Sequence, residues 1–354
     1  MAIQHLEIHN LRNLSSVSLE PISGLNFIFG PNGSGKTSLL EAIHCLGRGK
    51  SFRTHKTNNL IGEGHESFSV IGKILQHGRN SIIGMQRHKG SSEIRLAGKA
   101  ISRSSQLSEV LPVAILDPGL NRLIDEGPDL RRRFLDWGVF HVKHDFSTVW
   151  NTYKRTLSQR NAALRAGWSK SAIAHWDQSL VNAGNQLDKA RRDYLSNLMV
   201  FVHESLERYP SISDVSITYQ QGWRAGSDFS DYLASQLESD RERGFTQFGP
   251  HRADIKIKTG GYEARDYLSR GRQKLLVANL ILSQCRQITA QNITPVILVD
   301  DLPSELDAET RALLIQTLCE TNAQIFITAT DSDLFILQDL DYQMFHVEQG
   351  RLTL

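Results

Sequence analysis

The sequence predicts an α/β domain split by an inserted α-helical arm, and three observations carry that reading. A short apolar strand, Leu25–Phe29, runs into a glycine-rich turn and then into a helical pattern from Thr37 to about Leu46. Far downstream, Val296–Val299 is wholly apolar, as a strand buried on both faces should be, and it ends in two aspartates. Between them, from Arg131 to about Tyr209, glycine is sparse and apolar residues recur at helical spacing. The domains expected are therefore 1–138, first part of the α/β domain; 139–210, the arm; and 211–354, the second part.

From the N-terminus, Ile3–Ile8 and Leu25–Phe29 read as strands bounded by Gly, Pro or Asn. Residues 68–103 alternate apolar and polar around Gly72, Gly78, Gly84 and Gly98, the pattern of an antiparallel meander. In the arm, Phe146, Val149, Trp150, Tyr153 and Leu157 form one stripe. Leu180, Ala183, Leu187, Ala190, Tyr194 and Leu198 form another, with a turn near Gly167–Ser171. The pattern predicts an αα-hairpin, with Trp137, Trp150, Trp168 and Trp176 as packing residues. Strand character returns at Val215–Tyr219 and Asp254–Lys258. A helix follows from about Gln273 to Thr289, then strands at Val296–Val299 and Gln324–Thr328, then a terminal hairpin turning at Gln349-Gly350.

A composition of 40% hydrophobic and 22% charged residues excludes disordered and fibrous classes. Cys45, Cys285 and Cys319 lie far apart with no CxxC pair, which reads as reduced, buried thiols in a cytoplasmic protein. The N-terminus lacks the apolar core of a signal peptide, and no apolar run approaches the ~18 residues of a membrane helix. A soluble protein without membrane association is expected. Net charge is +2 but uneven. Residues 48–103 hold 11 Lys/Arg against 3 Asp/Glu, residues 131–192 hold 12 against 4, and residues 299–343 hold 1 against 10. Two basic blocks suit an anionic polymer such as DNA; solvated faces are the plainer reading, and charge alone leaves both open.

Gly30-Pro31-Asn32-Gly33-Ser34-Gly35-Lys36-Thr37 matches G-x-x-x-x-G-K-[ST], with the required strand before and helix after. Glycines let backbone N–H groups curl around a phosphate, and the helix turns its positive end to the same anion. Lys36 then reaches the β- and γ-phosphates and the Thr37 hydroxyl ligates Mg²⁺. ATP and Mg²⁺ are the implied cofactors, and the candidate contacts run from Gly30 through Thr37 to Ser38. A Mg²⁺ site also needs a carboxylate at the end of a neighbouring buried strand, and Asp300 supplies it, directly or through water. Asp301 is assigned to the attacking water, so Lys36 and Asp301 are the catalytic candidates. The plain alternative for the two acids is a helix cap after a core strand.

Leu268-Ser269-Arg270-Gly271-Arg272-Gln273-Lys274 precedes that strand and resembles the LSGGQ signature of ABC-type ATPases. Arg270 replaces a glycine, and Arg272 stands where glutamine is usual. The resemblance places Ser269 and Gly271 on the γ-phosphate of a nucleotide held by a second subunit, and so implies an ATP-dependent homodimer. Ser304-Glu305-Leu306-Asp307 sits where the D-loop of such ATPases crosses the dimer interface. Where their switch histidine would stand, the sequence has Ala329 and Thr330.

These motifs together resemble the RecF family of ABC/SMC-type ATPases. The residues that carry the resemblance are Phe29–Thr37, Gly49-Lys50-Ser51-Phe52-Arg53, Gly127-Pro128 with Arg131–Asp136, Gln159-Arg160-Asn161-Ala162, Gly249-Pro250-His251-Arg252 and 268–274. Leu11-Arg12-Asn13 is similar to the loop by which SMC-related ATPases touch the nucleotide, which adds Arg12 and Asn13 to the candidate contacts. The resemblance covers nearly the whole chain, and the arm is far too short for an SMC coiled coil. It implies an ABC/SMC-like P-loop ATPase head split by an inserted α-helical arm, in a cytoplasmic factor of DNA repair, replication, recombination and the SOS response. Such a factor binds ATP and single-stranded or gapped DNA junctions, and works with RecR and RecO to load a recombinase. Its weak, DNA-stimulated ATP hydrolysis acts as a timer.

A nucleotide-binding subunit of an ABC transporter is the competing reading, and the split domain, the arm and the missing switch histidine argue against it. A nuclease-linked SMC-like ATPase would need a metal cluster beyond Asp300 and Asp301, and the sequence offers none. Two readings stay open at two places. His251 and Arg252 suit either a packed corner or a contact with nucleotide or partner. Arg131, Arg132 and Arg133 suit either DNA phosphates or surface charge on a helix.

Overall fold

The computed structural model describes residues 2–76, 78–301, 306–331 and 341–353. The chain divides into two compact units, residues 1–120 with 280–354, and residues 121–279.

The first unit contains two six-stranded sheets. One is an antiparallel run of Leu14–Leu19, Ala2–Leu11, Ser67–Gln76, Arg79–His88, Ser91–Leu96 and Lys99–Ala100, in that spatial order. Its middle strands alternate buried and exposed residues, as the sequence pattern requires. The other sheet orders Arg351–Thr353, Tyr342–Glu348, Leu25–Phe29, Gln324–Ala329, Val296–Val299 and Val113–Leu116. All but the Arg351–Thr353 edge run parallel. Helix Lys36–Arg48 packs against strands of both sheets. Its Leu39, Leu40, Ile43 and Leu46 join Ile3, Leu6, Val70, Ile74, Leu298 and Phe326 in one buried cluster. Parallel strands place their carboxyl ends along one edge, where ligands of α/β sheets bind. Phe29 and Val299, which lead into the phosphate loop and the paired aspartates, both end there.

The second unit is built on helices Pro128–Val142, Phe146–Arg165 and Lys170–Leu206, with a three-stranded antiparallel sheet of Tyr262–Glu263, Asp254–Thr259 and Val215–Gln220. The two longer helices form the expected hairpin, and the Ser169 hydroxyl caps the second by accepting the Ala172 N–H over 3.3 Å. Position 139 falls inside the first helix and position 210 opens the turn Pro210–Ile212, so the expected arm lies within a larger body. Arginines bind that body together. Arg131 pairs with Asp254 through two contacts of 2.7 and 2.9 Å, and Arg132 donates to Ala253 O over 2.7 Å. Arg191 grips Asp136 over 2.8 and 3.0 Å and donates to Pro250 O over 2.6 Å.

Helix Arg270–Thr289 starts nearly a turn before the expected Gln273. Cys45 and Cys285 are buried free thiols, Cys319 is half-buried, and burial pushes Cys45 up to about 12. Among the described residues no helix is long and apolar enough to cross a membrane.

Candidate nucleotide-binding site

The phosphate loop links the Leu25–Phe29 strand to helix Lys36–Arg48. Gly30 and Gly35 have φ of +149° and +122°, where side chains other than glycine are strained. A Cβ on Gly30 would come within 2.1 Å of Val347 O, and one on Gly35 within 2.6 Å of Leu14 Cδ2. The loop is also pinned from outside. Asn13 Nδ2 donates to Gly33 O over 2.9 Å, Ser38 Oγ donates to Asn13 Oδ1 over 2.9 Å, and Gly350 N donates to Ser34 O over 2.8 Å. Asn13 and Ser38 therefore brace the loop with the groups expected to face a ligand.

Lys36 is 7% exposed, and its Nζ donates to Gly30 O over 2.8 Å and Pro31 O over 3.0 Å. Burial lowers its pKa, while Asp301 and then Asp300 oppose that shift. Ser34 Oγ is buried with no partner among the described residues, and Gly33 faces open space. A loop with an unanswered hydroxyl, a converging lysine and an open rim is shaped for a phosphate chain.

Opposite the loop, Thr37 Oγ1 donates to Asp300 Oδ1 over 2.8 Å. Thr328 Oγ1 reaches the same oxygen over 3.0 Å and accepts the Asp301 N–H over 2.9 Å. Burial raises the pKa of Asp300; Thr37, Thr328 and the nearby Arg53 lower it, and Asp301 raises it further. A hydroxyl and a carboxylate form a hard-oxygen pair that suits Mg²⁺, which commonly takes one or two protein oxygens and fills its octahedron with phosphate and water. No group of three or more His, Cys, Asp or Glu that could hold a metal occurs among the described residues. Asp301 has φ +53°, a left-handed turn at the strand end. Beyond it, Ser304 and Glu305 of the D-loop segment lie outside the described residues. Asp307 caps helix Ala308–Cys319 through Thr310 N at 2.9 Å.

Arg12, Asn13, Gly30–Ser38, Asp300 and Asp301 thus meet in the first unit. Ser269 and Gly271 belong to the second, exposed at the start of helix Arg270–Thr289. Gln273 N donates to Ser269 O over 2.9 Å, and the Gln273 amide donates to Leu268 O and Arg265 O. Arg270, in the place of a glycine, pairs with Asp125.

Two residues of the site, Thr328 and Glu41, are not singled out by the sequence motifs. Thr328 follows from register: Val299 lies level with Ile327 in parallel pairing, so the next pair is Asp300 and Thr328. A threonine at the end of the apolar run Gln324–Ala329 was the available signal. Glu41 gave no such signal; it is buried between Arg12 and Ser51, and both donate to its carboxylate.

The two open readings of the second unit gain geometry. His251 Nε2 faces Thr246 O at 3.1 Å and must carry the proton, so Nδ1 accepts from Tyr153 OH over 2.7 Å. Burial drives its pKa down to about 4. His251 is thus held by internal partners, whereas Arg252 is exposed and lies over the Phe245 ring. Arg131 and Arg132 are internal struts, 14% exposed at the side chain, whereas Arg133 is exposed.

The RecF/RecN/SMC N-terminal domain family matches residues 2–353. The DNA replication and repair protein RecF of Shewanella denitrificans is 40% identical over 357 residues, covering all of this chain and 99% of that protein. A solved structure of the recombination mediator protein RecF with ATP, in the RecFOR pathway, aligns with 99% of this chain and 96% of its own at a TM-score of 0.87 and 27% identity. The Smc head domain derived from Pyrococcus furiosus, with a TM-score of 0.61 at 14% identity over 99% of this chain and 95% of its own, shares the fold alone.

Proposed function

The chain belongs to the RecF family of ABC/SMC-type ATPases, and from that premise we propose that it binds ATP and Mg²⁺, dimerises on ATP, and binds DNA in replication and repair. One observation carries the nucleotide reading: Lys36, Thr37, Asp300 and Asp301 converge on a loop with a buried, unanswered Ser34 hydroxyl. Lys36 would leave the Gly30 and Pro31 carbonyls for the β- and γ-phosphates. Thr37 and Asp300 would hold Mg²⁺, whose chemistry is to neutralise charge on those phosphates. Asp301 would orient the attacking water.

The exposed start of helix Arg270–Thr289, with Ser269 and Gly271, supports a role in trans on a second copy's γ-phosphate. The basic blocks support contact with DNA; single-stranded or gapped junctions as the form bound rest on the family. RecR and RecO as partners, a cytoplasmic location and a slow, DNA-stimulated ATPase rest on the family.

Gel filtration with and without ATP and a gapped duplex tests the reading. Lys36→Ala should weaken ATP binding roughly a hundredfold, the worth of one or two charge-assisted hydrogen bonds. Ser269→Arg should keep monomer ATP binding and lose the ATP-dependent dimer. A Ser269→Arg protein that dimerises normally overturns the role in trans.

A further inference from the structure

Glu41 lies three residues beyond Ser38 on the phosphate-loop helix and is fully buried. A buried carboxylate is stable only when its oxygens are answered. Arg12 answers both: Nε donates to Oε2 over 2.9 Å and Nη2 to Oε1 over 3.1 Å. The Ser51 hydroxyl also donates to Oε1, and Ser51 Oγ accepts the N–H groups of Arg53 and Thr54 over 2.9 and 3.1 Å. One carboxylate therefore ties two separate segments to the helix that carries Lys36 and Thr37.

The turn it holds is strained. Asn10 and Arg12 have φ of +55° and +57°, a region that non-glycine residues enter only when their surroundings fix them. Arg12 N donates to Leu60 O and Gly62 N to Asn10 O, each over 2.8 Å. The next residue, Asn13, bonds the phosphate loop itself. Glu41 occupies one edge of the Arg12 guanidinium; Nη1 has no partner among the described residues, and the side chain is 24% exposed. A rigid guanidinium bonded to a carboxylate along one edge keeps its remaining donors for a second anion.

We propose that Glu41 is a positioning residue of the nucleotide site, fixing Arg12 so that its remaining N–H groups meet the polyphosphate of a nucleotide in the loop. The assignment rests on the ATP-binding reading above. The test is titration of wild type, Glu41→Gln, Arg12→Ala and the double variant with the fluorescent nucleotides mant-ATP and mant-AMP. Both single variants should lose about tenfold in mant-ATP affinity, the worth of one charge-assisted contact, with little change for mant-AMP. The double variant should bind mant-ATP no worse than Arg12→Ala, because Glu41 acts through Arg12. Wild-type affinity in Glu41→Gln overturns the assignment, as do losses that multiply in the double variant. Should Glu41→Gln fail to fold, Glu41→Asp keeps the charge but retracts it by about 1.5 Å, one C–C bond. It should show the same selective loss, and unaltered mant-ATP binding by it overturns the assignment. Wild-type protein that binds no mant-ATP overturns the ATP reading itself, and this assignment with it.

Discussion

The Thr37 hydroxyl donates to Asp300 Oδ1 over 2.8 Å, joining the first turn of the phosphate-loop helix to the end of strand Val296–Val299. Burial holds Asp300 above the ordinary aspartate range despite that bond. A carboxyl raised on folding favours the folded state while protonated. Its cost therefore grows as pH climbs from the unfolded value through the folded one. Asp300→Asn should stabilise the nucleotide-free protein by about 1 kcal/mol at neutral pH, the usual size of a functional-site trade-off. The gain should shrink toward pH 4, while Mg²⁺-dependent hydrolysis is lost. Thermal melts across pH check this, and a gain independent of pH would contradict burial as its cause.

Asp301 predicts a slow enzyme. In the role proposed for Asp301 most ABC-type ATPases carry glutamate, one methylene longer, so the Asp301 carboxylate should fall short by about 1.5 Å. A displacement of ~1 Å can cost on the order of a hundredfold. Turnover is expected below about one per second, under the usual enzyme range, and Asp301→Asn should slow it further and trap the ATP-bound dimer. Phosphate-release kinetics decide the matter; an Asp301→Asn variant of normal rate would leave Asp301 a strand-end residue with its N–H on Thr328.

For DNA contact, the structure separates residues that the sequence grouped. Arg131→Ala removes one half of a mostly buried ion pair with Asp254 and should cost about 3 kcal/mol in denaturant unfolding. Arg133, exposed on the same helix, should change stability by less than about 0.5 kcal/mol when mutated to Glu. If the 131–192 block meets DNA, Arg133→Glu should lower affinity and reduce the salt slope by about one. An unchanged slope would remove this helix from the DNA-binding surface.

His251 predicts acid lability in the second unit. Its folded pKa, about 4, lies below the ordinary 6.5, so the stability it gives is complete above 6.5 and is lost as pH falls toward 4. Replacing it with glutamine should flatten that limb by up to about 1.4 kcal/mol per pH unit, the weight of one proton. Urea unfolding between pH 7 and pH 4 gives the measurement.

The phosphate loop, the paired aspartates, the helical hairpin and the meander were open to reading because each is written in consecutive residues. Glycine spacing, an apolar run and a stripe at helical period need no knowledge of distant neighbours. Helix Arg270–Thr289 opens inside the signature-like segment 268–274, and only the folded chain shows its brace, the buried Gln273 amide donating back to Leu268 O.

By itself the sequence determined the α/β class, the inserted helices and the chemistry available at the loop, since those depend on residue type and period. Only tertiary structure decided what each polar side chain is for. Sheet register set Thr328 beside Asp300, and chain reversal brought Arg12 to Glu41 and Arg131 to Asp254. A charged residue reads the same in sequence whether it faces water, DNA or a buried carboxylate. The difference lies in desolvation and in partners a hundred or more residues away, as with Asp254, 123 positions from Arg131.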